Sequence, residues 1–250
     1  METTIGVERE RFICDSRGKI VPEIGNLLPI VLEVARSFEL TDYLFGYELY
    51  AGQIEDRTFP CRSLEELRLA LEINDRILQE AAFLCGLDYD FSEFAKDLTV
   101  GEFDVNPFNE RHQNIWRVIP PERRLAASQV AAVHVHLVVT IEQAVRLFRF
   151  CDNGIVENLI ELGDHSDGRR LKAYRTMTQS DSIPPKFSGP AELLEYIKEH
   201  GGERNVWDLI RYKPTTGTIE FRMFGMTKGR EEIIRYAEAC LVVLQEALKQ

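Results

Sequence analysis

Glu8-Arg9-Glu10 restricts the fold of this chain more than any other stretch. It lies within Gly6-Val7-Glu8-Arg9-Glu10-Arg11-Phe12-Ile13, which reads as an N-terminal strand. Successive strand side chains leave opposite faces, so both glutamates share one. At a rise of about 3.3 Å per residue they stand roughly 7 Å apart. At an effective dielectric of about 20, that pair of like charges costs on the order of 2 kcal/mol, a cost that a bound cation would remove. A lone Glu-x-Glu is more often the solvated face of an edge strand. Here the spacing recurs: His134-Val135-His136 sits within the apolar stretch Gln129 to Val139, and Glu220-Phe221-Arg222 within Thr218 to Phe224. Two imidazoles share one strand face, and a carboxylate and a guanidinium share another.

The remaining pattern fits an α+β domain, a largely antiparallel sheet with helices packed on one side. Leu27, Leu28, Ile30, Val31, Val34, Ala35 and Phe38 mark a helix over Gly25 to Glu39, with Pro29 in its first turn. Phe45 to Tyr50 and Gln53 to Glu55 look strand-like and carry two further carboxylates, Glu48 and Glu55. Ser63-Leu64-Glu65-Glu66 has the capping-box spacing and opens a helix that Gly86 stops. Asp88 to Pro121 reads as a mostly irregular loop, Ile141 to about Leu162 as one helix, and Gly163 to Arg170 as a polar loop. In that loop Arg169 and Arg170 read as a solvated pair. Ala191 to His200 is a helix, and Asn205 to Arg211 forms a hairpin with Thr218 to Phe224. A last amphipathic helix runs from Gly229 to about Leu248. At 250 residues, one domain spanning 1–250 is the simplest division.

A formal net charge of −11 argues against nucleic acid or an anionic membrane as the main partner. No uncharged apolar run reaches the roughly 18 residues of a spanning helix, and Met1-Glu2-Thr3-Thr4 has no signal-peptide character, so the cytoplasm is expected. The five cysteines are widely spaced without a Cys-x-x-Cys pair, which suggests neither structural zinc nor a disulfide framework. Cys85 and Cys240 read as core residues. Oxygen ligands with an occasional imidazole suit Mg²⁺ or Mn²⁺. An arginine beside Glu220 asks for an anion that accompanies the metal, and phosphate is the obvious one. Neither a Gly-x-x-x-x-Gly-Lys-Ser/Thr loop nor Gly-x-Gly-x-x-Gly occurs, so a nucleotide would be held another way.

Gly6-Val7-Glu8-Arg9-Glu10, Glu48-Leu49-Tyr50-Ala51-Gly52-Gln53-Ile54-Glu55, His134-Val135-His136 and Gly217-Thr218-Ile219-Glu220-Phe221-Arg222 resemble, in this order, the motifs of glutamate–cysteine ligase family 2. These carboxylate–amine ligases belong to the glutamine synthetase-like superfamily. The resemblance implies a curved antiparallel sheet whose concave face holds ATP, Mg²⁺ or Mn²⁺, and a carboxylate. By the same match Glu8, Glu10, Glu48, Glu55, Glu220 and His134 are metal ligands. His134 and His136 contact metal or nucleotide phosphate, Arg222 the transferred phosphate, Arg211 an anion, and Arg175 the substrate or phosphate. Gly225 stands where the family often has Asp. The implied activity joins a small-molecule carboxylate to an amine through an acyl phosphate, in a chain whose size is compatible with a homodimer. A guanidino-type phosphotransferase, or a noncatalytic nucleotide- or metal-sensing module, are the alternatives.

Overall fold

The structure, a computed structural model, describes residues 3–180 and 183–250. Met1 and Glu2, the start of the segment without signal-peptide character, lie outside the described residues. In chain order the elements are β1 (Ile5–Cys14), α1 (Ile24–Ser37), β2 (Phe45–Tyr47), β3 (Gln53–Arg57), α2 (Leu64–Cys85), β4 (Asp88–Asp90), α3 (Glu110–Val118) and α4 (Pro121–Gln129). Then follow β5 (Ala132–Val138), α5 (Ile141–Phe150), α6 (Asn153–Leu162), α7 (Arg169–Thr178), α8 (Pro190–Glu199), β6 (Ile210–Lys213), β7 (Thr218–Gly225) and α9 (Arg230–Lys249). The strands form one sheet in the order β2-β3-β1-β5-β7-β6, with β4 on the C-terminal end of β1. Every pairing is antiparallel. This is an α+β fold.

Period-two alternation separates the two faces of the sheet. Val7, Val133, Val135, Ile219, Phe221 and Met223 point to the helical side, where α2, α5, α6 and α9 bury them in one core. A second core joins α1 and α2 to Ile13, Ile54 and Tyr89. The intervening polar residues face the other way, and the cross-strand pairs Glu8 with His134, Glu10 with Glu55, His136 with Glu220, and Arg211 with Glu220 bring them together.

Beneath β1 the helical side is not purely apolar. Arg9 and Arg11, only 2% and 1% exposed, pair with Asp56 of β3 and Asp75 of α2 over 2.7–3.1 Å. Arg230 of α9 reaches Asp75 at 3.2 Å, and Asn74 donates to Asp56 at 3.0 Å. Every charge in this buried group has an opposite partner, which is the condition under which burial is tolerated.

Ser63 caps α2 by accepting the Glu66 N–H, while the Glu66 carboxylate accepts the N–H of Arg62, and Gly86 ends the helix at φ +65°. The structure corrects several expectations. Helix α1 starts at Ile24, whose N–H bonds the Ala51 carbonyl, so Pro29 falls in its second turn. The span Asp88 to Pro121 holds β4 and α3, the latter capped by Asn109, and Pro121 opens α4. The helix over Ile141 to Leu162 is two, because Asp152 accepts the Ile155 N–H and starts α6 afresh. Arg169 and Arg170 lie in α7, where Arg170 is 3% exposed rather than solvated. Cys240 is in the core, whereas Cys85 is half-buried.

Candidate functional site

The polar face of the sheet carries two adjoining clusters. Oxygen and nitrogen atoms of Glu8, His136 and Glu220 lie within 4.8 Å of one another, and so do those of Glu10, Glu48 and Glu55. His134 sits between them: its Nδ1 is 3.4 Å from a Glu8 oxygen and 3.6 Å from Glu220, and its Nε2 is 3.9 Å from Glu10. Glu8, Glu10, Glu55, His134, His136 and Glu220 come from β1, β3, β5 and β7. Glu48 comes from the connection after β2, held through Asn106, which donates to the Glu48 carbonyl at 2.6 Å.

Arginines flank the acids. Arg211 of β6 grips Glu220 with two hydrogen bonds of 2.6 and 3.1 Å. Arg222 pairs with the same carboxylate and donates to the Tyr174 hydroxyl at 3.2 Å, its guanidinium lying over Trp207. Arg57 contacts Glu55 and lies 3.5 Å from Glu8. Arg170, buried behind the cluster, is held by the Met223 carbonyl and by Glu93 at 3.8 Å. Arg175, by contrast, is exposed on the outer side of α7 and joins neither cluster. The same helix turns Arg170 and Tyr174 inward instead. Arg57, Arg170, Tyr174, Arg111 and His112 are neighbours of the site that motif spacing does not single out. The helical period of Arg170, Ala173 and Tyr174 is the one signal in sequence that could have found the inward face of α7.

The electrostatics divide the two clusters. Burial pushes the Glu10 carboxyl up to about 8, with Glu55 adding to the shift, and pushes Glu48 up to about 7, with Glu10 adding. Glu55 is raised for the same reasons, burial and then Glu8. Against its burial, Glu8 is held well below the usual carboxylate range by His136 and His134, and Glu220 by Arg222 and Arg211. Burial and the Arg222 charge take His134 down to about 4, so its imidazole is neutral and keeps a lone pair at neutral pH.

This donor set fits a divalent cation. Ligand atoms on opposite sides of Mg²⁺ stand about 4.2 Å apart and around Ca²⁺ about 5 Å, the scale of both triads. Metal ligation requires carboxylates and neutral imidazole: Glu8 and Glu220 are held ionised, His134 is neutral, and a cation would displace the protons that burial leaves on Glu10 and Glu48. His136 Nε2 is buried 3.4 Å from a Glu8 oxygen without a well-formed hydrogen bond, and a cation between the two would take both as ligands. The cysteines offer no competing chemistry, because burial pushes the thiols of Cys14 and Cys61 up to about 11.

Two cavities meet at this cluster. An open polar cleft of about 610 Å³ runs over Glu8, Glu55, Arg57, Arg204, Arg211 and Lys213. A more enclosed cavity of about 180 Å³ lies under α3, α4 and α7. Glu10, Glu48, Arg111, His112, His134, Trp207 and Arg222 line both. Gly225 borders this region, and its lack of a side chain has a steric cause. A Cβ there would lie 1.5 Å from a Glu93 oxygen, so Glu93 occupies the space that an Asp at 225 would need.

No protein-family model matches this chain, and no curated protein does. Among solved structures the chain is similar to a bifunctional glutathione synthetase from Pasteurella multocida, with a TM-score of 0.65 at 14% identity over 99% of this chain. It is also similar to a novel glutamine synthase homolog, with a TM-score of 0.49 at 12% identity over 98% of this chain. The chain spans 39% of the first of these and 55% of the second. The first likeness shows a shared fold with part of a larger protein. Among the described residues no helix is long and apolar enough to cross a membrane.

Proposed function

We propose that residues 1–250 act as a catalytic domain that binds ATP with Mg²⁺ or Mn²⁺ on the polar face of the sheet and joins a carboxylate to an amine. The observation that carries this reading is the pair of triads, Glu8–His136–Glu220 and Glu10–Glu48–Glu55, bridged by His134 and flanked by Arg211 and Arg222 on the same face. A cation bound there offsets charge on the nucleotide phosphates and on the phosphoryl group in flight. Arg222 and Arg211 orient the anion at the edge of the cluster, and His134, neutral at pH 7, contributes a lone pair without added charge. A substrate carboxylate oxygen attacks the γ-phosphorus and ADP departs, leaving an acyl phosphate. The amine then attacks the carbonyl carbon, inorganic phosphate leaves, and the nitrogen gives up one proton as the amide forms. The likeness of the fold to part of a bifunctional glutathione synthetase and the motif order support this reading over phosphate transfer to a guanidino group.

Hydroxylamine tests it, because it traps an acyl phosphate without the true amine. ATP- and Mg²⁺-dependent hydroxamate from a pool of carboxylates, lost in Glu55→Gln, is the expected outcome. Nucleotide binding without hydroxamate from any acid would refute carboxylate activation.

A further inference from the structure

We infer that His112 is a neutral hydrogen-bond donor of the site, fixed by Asn106 with its proton on Nε2 and offered to an anionic oxygen of the ligand where the two cavities meet. This rests on the ligase reading of the site, whose phosphates and carboxylate supply such oxygens.

Asn106 sets the tautomer. It is fully buried just ahead of α3, and its backbone N–H donates to the Leu49 carbonyl at 3.1 Å. Its Oδ1 accepts the backbone N–H groups of Phe108 and Asn109 at 3.2 and 3.1 Å. Two donors must face the amide oxygen and not the nitrogen, so the orientation of the side chain is settled. The nitrogen then has two hydrogens to place. One goes to the Glu48 carbonyl at 2.6 Å, and the other meets His112 Nδ1 at 2.8 Å. A hydrogen on Nδ1 would oppose the amide hydrogen across that distance, so Nδ1 keeps its lone pair. The neutral imidazole carries a single N–H, which therefore sits on Nε2.

The ring is held on other sides as well. Asn109 caps α3 by accepting the His112 backbone N–H at 3.2 Å, and the Tyr47 ring stands edge-on to the imidazole with centroids 6.0 Å apart. With Nδ1 turned to Asn106, Nε2 points away from it, and Nε2 is bonded to no protein group among the described residues. The residue lines both the polar cleft and the enclosed cavity. This separates His112 from the other two imidazoles of the site. His134 and His136 each have a ring nitrogen 3.4 Å from a Glu8 oxygen, whereas His112 belongs to neither triad. A nitrogen that carries a hydrogen has no lone pair for a cation. What it takes is an acceptor, and an anionic oxygen makes the stronger bond. Asn106 thereby assigns His112 to the anion rather than to the metal, adding a contact without adding charge.

Long-range proton–nitrogen NMR of the wild-type imidazoles, assigned through their correlation to the backbone, tests this without turnover and without any variant having to fold. His112 Nδ1 is expected to appear as the bare nitrogen and Nε2 as the protonated one, with Nε2 shifting when Mg²⁺–ATP or the carboxylate pool is added. A proton on Nδ1, or no shift with either addition, overturns the inference. Two variants then separate donation from packing. His112→Asn keeps an acceptor for Asn106 but has nothing at the position of Nε2, whereas His112→Gln places an amide N–H there. His112→Asn is expected to lower either the calorimetric affinity for Mg²⁺–ATP or the kcat/KM for the carboxylate in the hydroxamate assay by at least about tenfold, and His112→Gln to regain most of it. A loss confined to ATP affinity makes a nucleotide phosphate the acceptor, and one confined to the carboxylate's kcat/KM makes it the substrate carboxylate. Equal behaviour of the two variants overturns the inference, as does the reverse order, which a purely structural contact with Asn106 would give. If the tautomer, the shift and the loss of ATP affinity are all found but no acid yields hydroxamate, the His112 assignment stands and the ligase reading fails. If wild type and His112→Asn bind ATP and form hydroxamate alike, the ligase reading stands and the His112 assignment falls.

Discussion

Raising the pH of the cation-free protein from about 6.5 to about 8 is expected to lower its melting temperature, and divalent cations are expected to reverse that loss. Glu10 and Glu48 hold their protons in the fold up to about 8 and about 7, whereas in the unfolded chain they ionise near 4.5. A raised carboxyl contributes stability that is complete below the unfolded value and disappears as pH rises through the folded one. Between pH 6.5 and 8 the unfolded chain has already lost both protons and the folded chain is losing them, which amounts to about 2 kcal/mol from the two groups. For a chain of this size that lowers the melting temperature by about 4–8 °C. His134 does not obscure the trend. Its folded value is depressed to about 4, so its contribution changes mainly below the ordinary imidazole value of about 6.5. The depressed values of Glu8 and Glu220 act lower still. Cation at a hundred times its dissociation constant adds about 2.7 kcal/mol, or roughly 5–11 °C. The cation must displace protons at pH 6.5, so its effect is larger at pH 8. Differential scanning fluorimetry with EDTA, Mg²⁺ or Mn²⁺ at both pH values reads all of this, and Glu10→Gln should flatten the cation-free decline. A melting temperature that rises from pH 6.5 to 8 without cation, or a cation shift equal at both, would refute the reasoning.

Glu220→Gln leaves Arg211 and Arg222 without their shared counter-ion at a fully buried position, and urea denaturation should register a loss of about 3 kcal/mol. A loss below about 1 kcal/mol would show that the two guanidiniums find other partners. Gly225→Asp drives a side chain into Glu93 and should cost at least about 2 kcal/mol, with part of the loss recovered when Glu93→Gly is added. Equal urea midpoints for the single and double variants would contradict the steric account. Arg175→Ala, on the exposed side of α7, should change stability by no more than about 0.5 kcal/mol. Arg170→Ala, which strips Glu93 of a buried counter-charge, should cost several times as much in the same assay.

The strands at the heart of the site were legible in sequence because alternation is a property of the backbone itself. Once β1, β5 and β7 are extended, Glu8, Glu10, His134, His136, Glu220 and Arg222 have no choice of face. Cross-strand register was not legible, since which strand lies beside which depends on long-range pairing. Helices α3 and α4 are hidden in the sequence because Pro107, Pro120 and Pro121 imitate a loop, although Pro121 in fact occupies the favoured first position of α4. The break between α5 and α6 was hidden by continuous helical spacing across Cys151 and Asp152, where a capping side chain overrides periodicity. The buried position of Arg170 is hidden in the sequence for a related reason. A pair of arginines after Gly168 looks solvated until the αL glycine turns the chain into α7 and directs one of them inward.

The alternation Glu8-Arg9-Glu10-Arg11 has a consequence for how faithfully this strand can be assembled. In a strand with one apolar face, a slip by one residue is opposed by exposure of hydrocarbon. In β1 the same slip would carry Arg9 and Arg11 into the triads and press Glu8 and Glu10 against Asp56 and Asp75, placing four carboxylates together in the interior. Charge thus proofreads the alignment of the strand, and the ion pairs beneath the sheet guarantee that any chain that has folded carries its acids on the side where a cation can reach them.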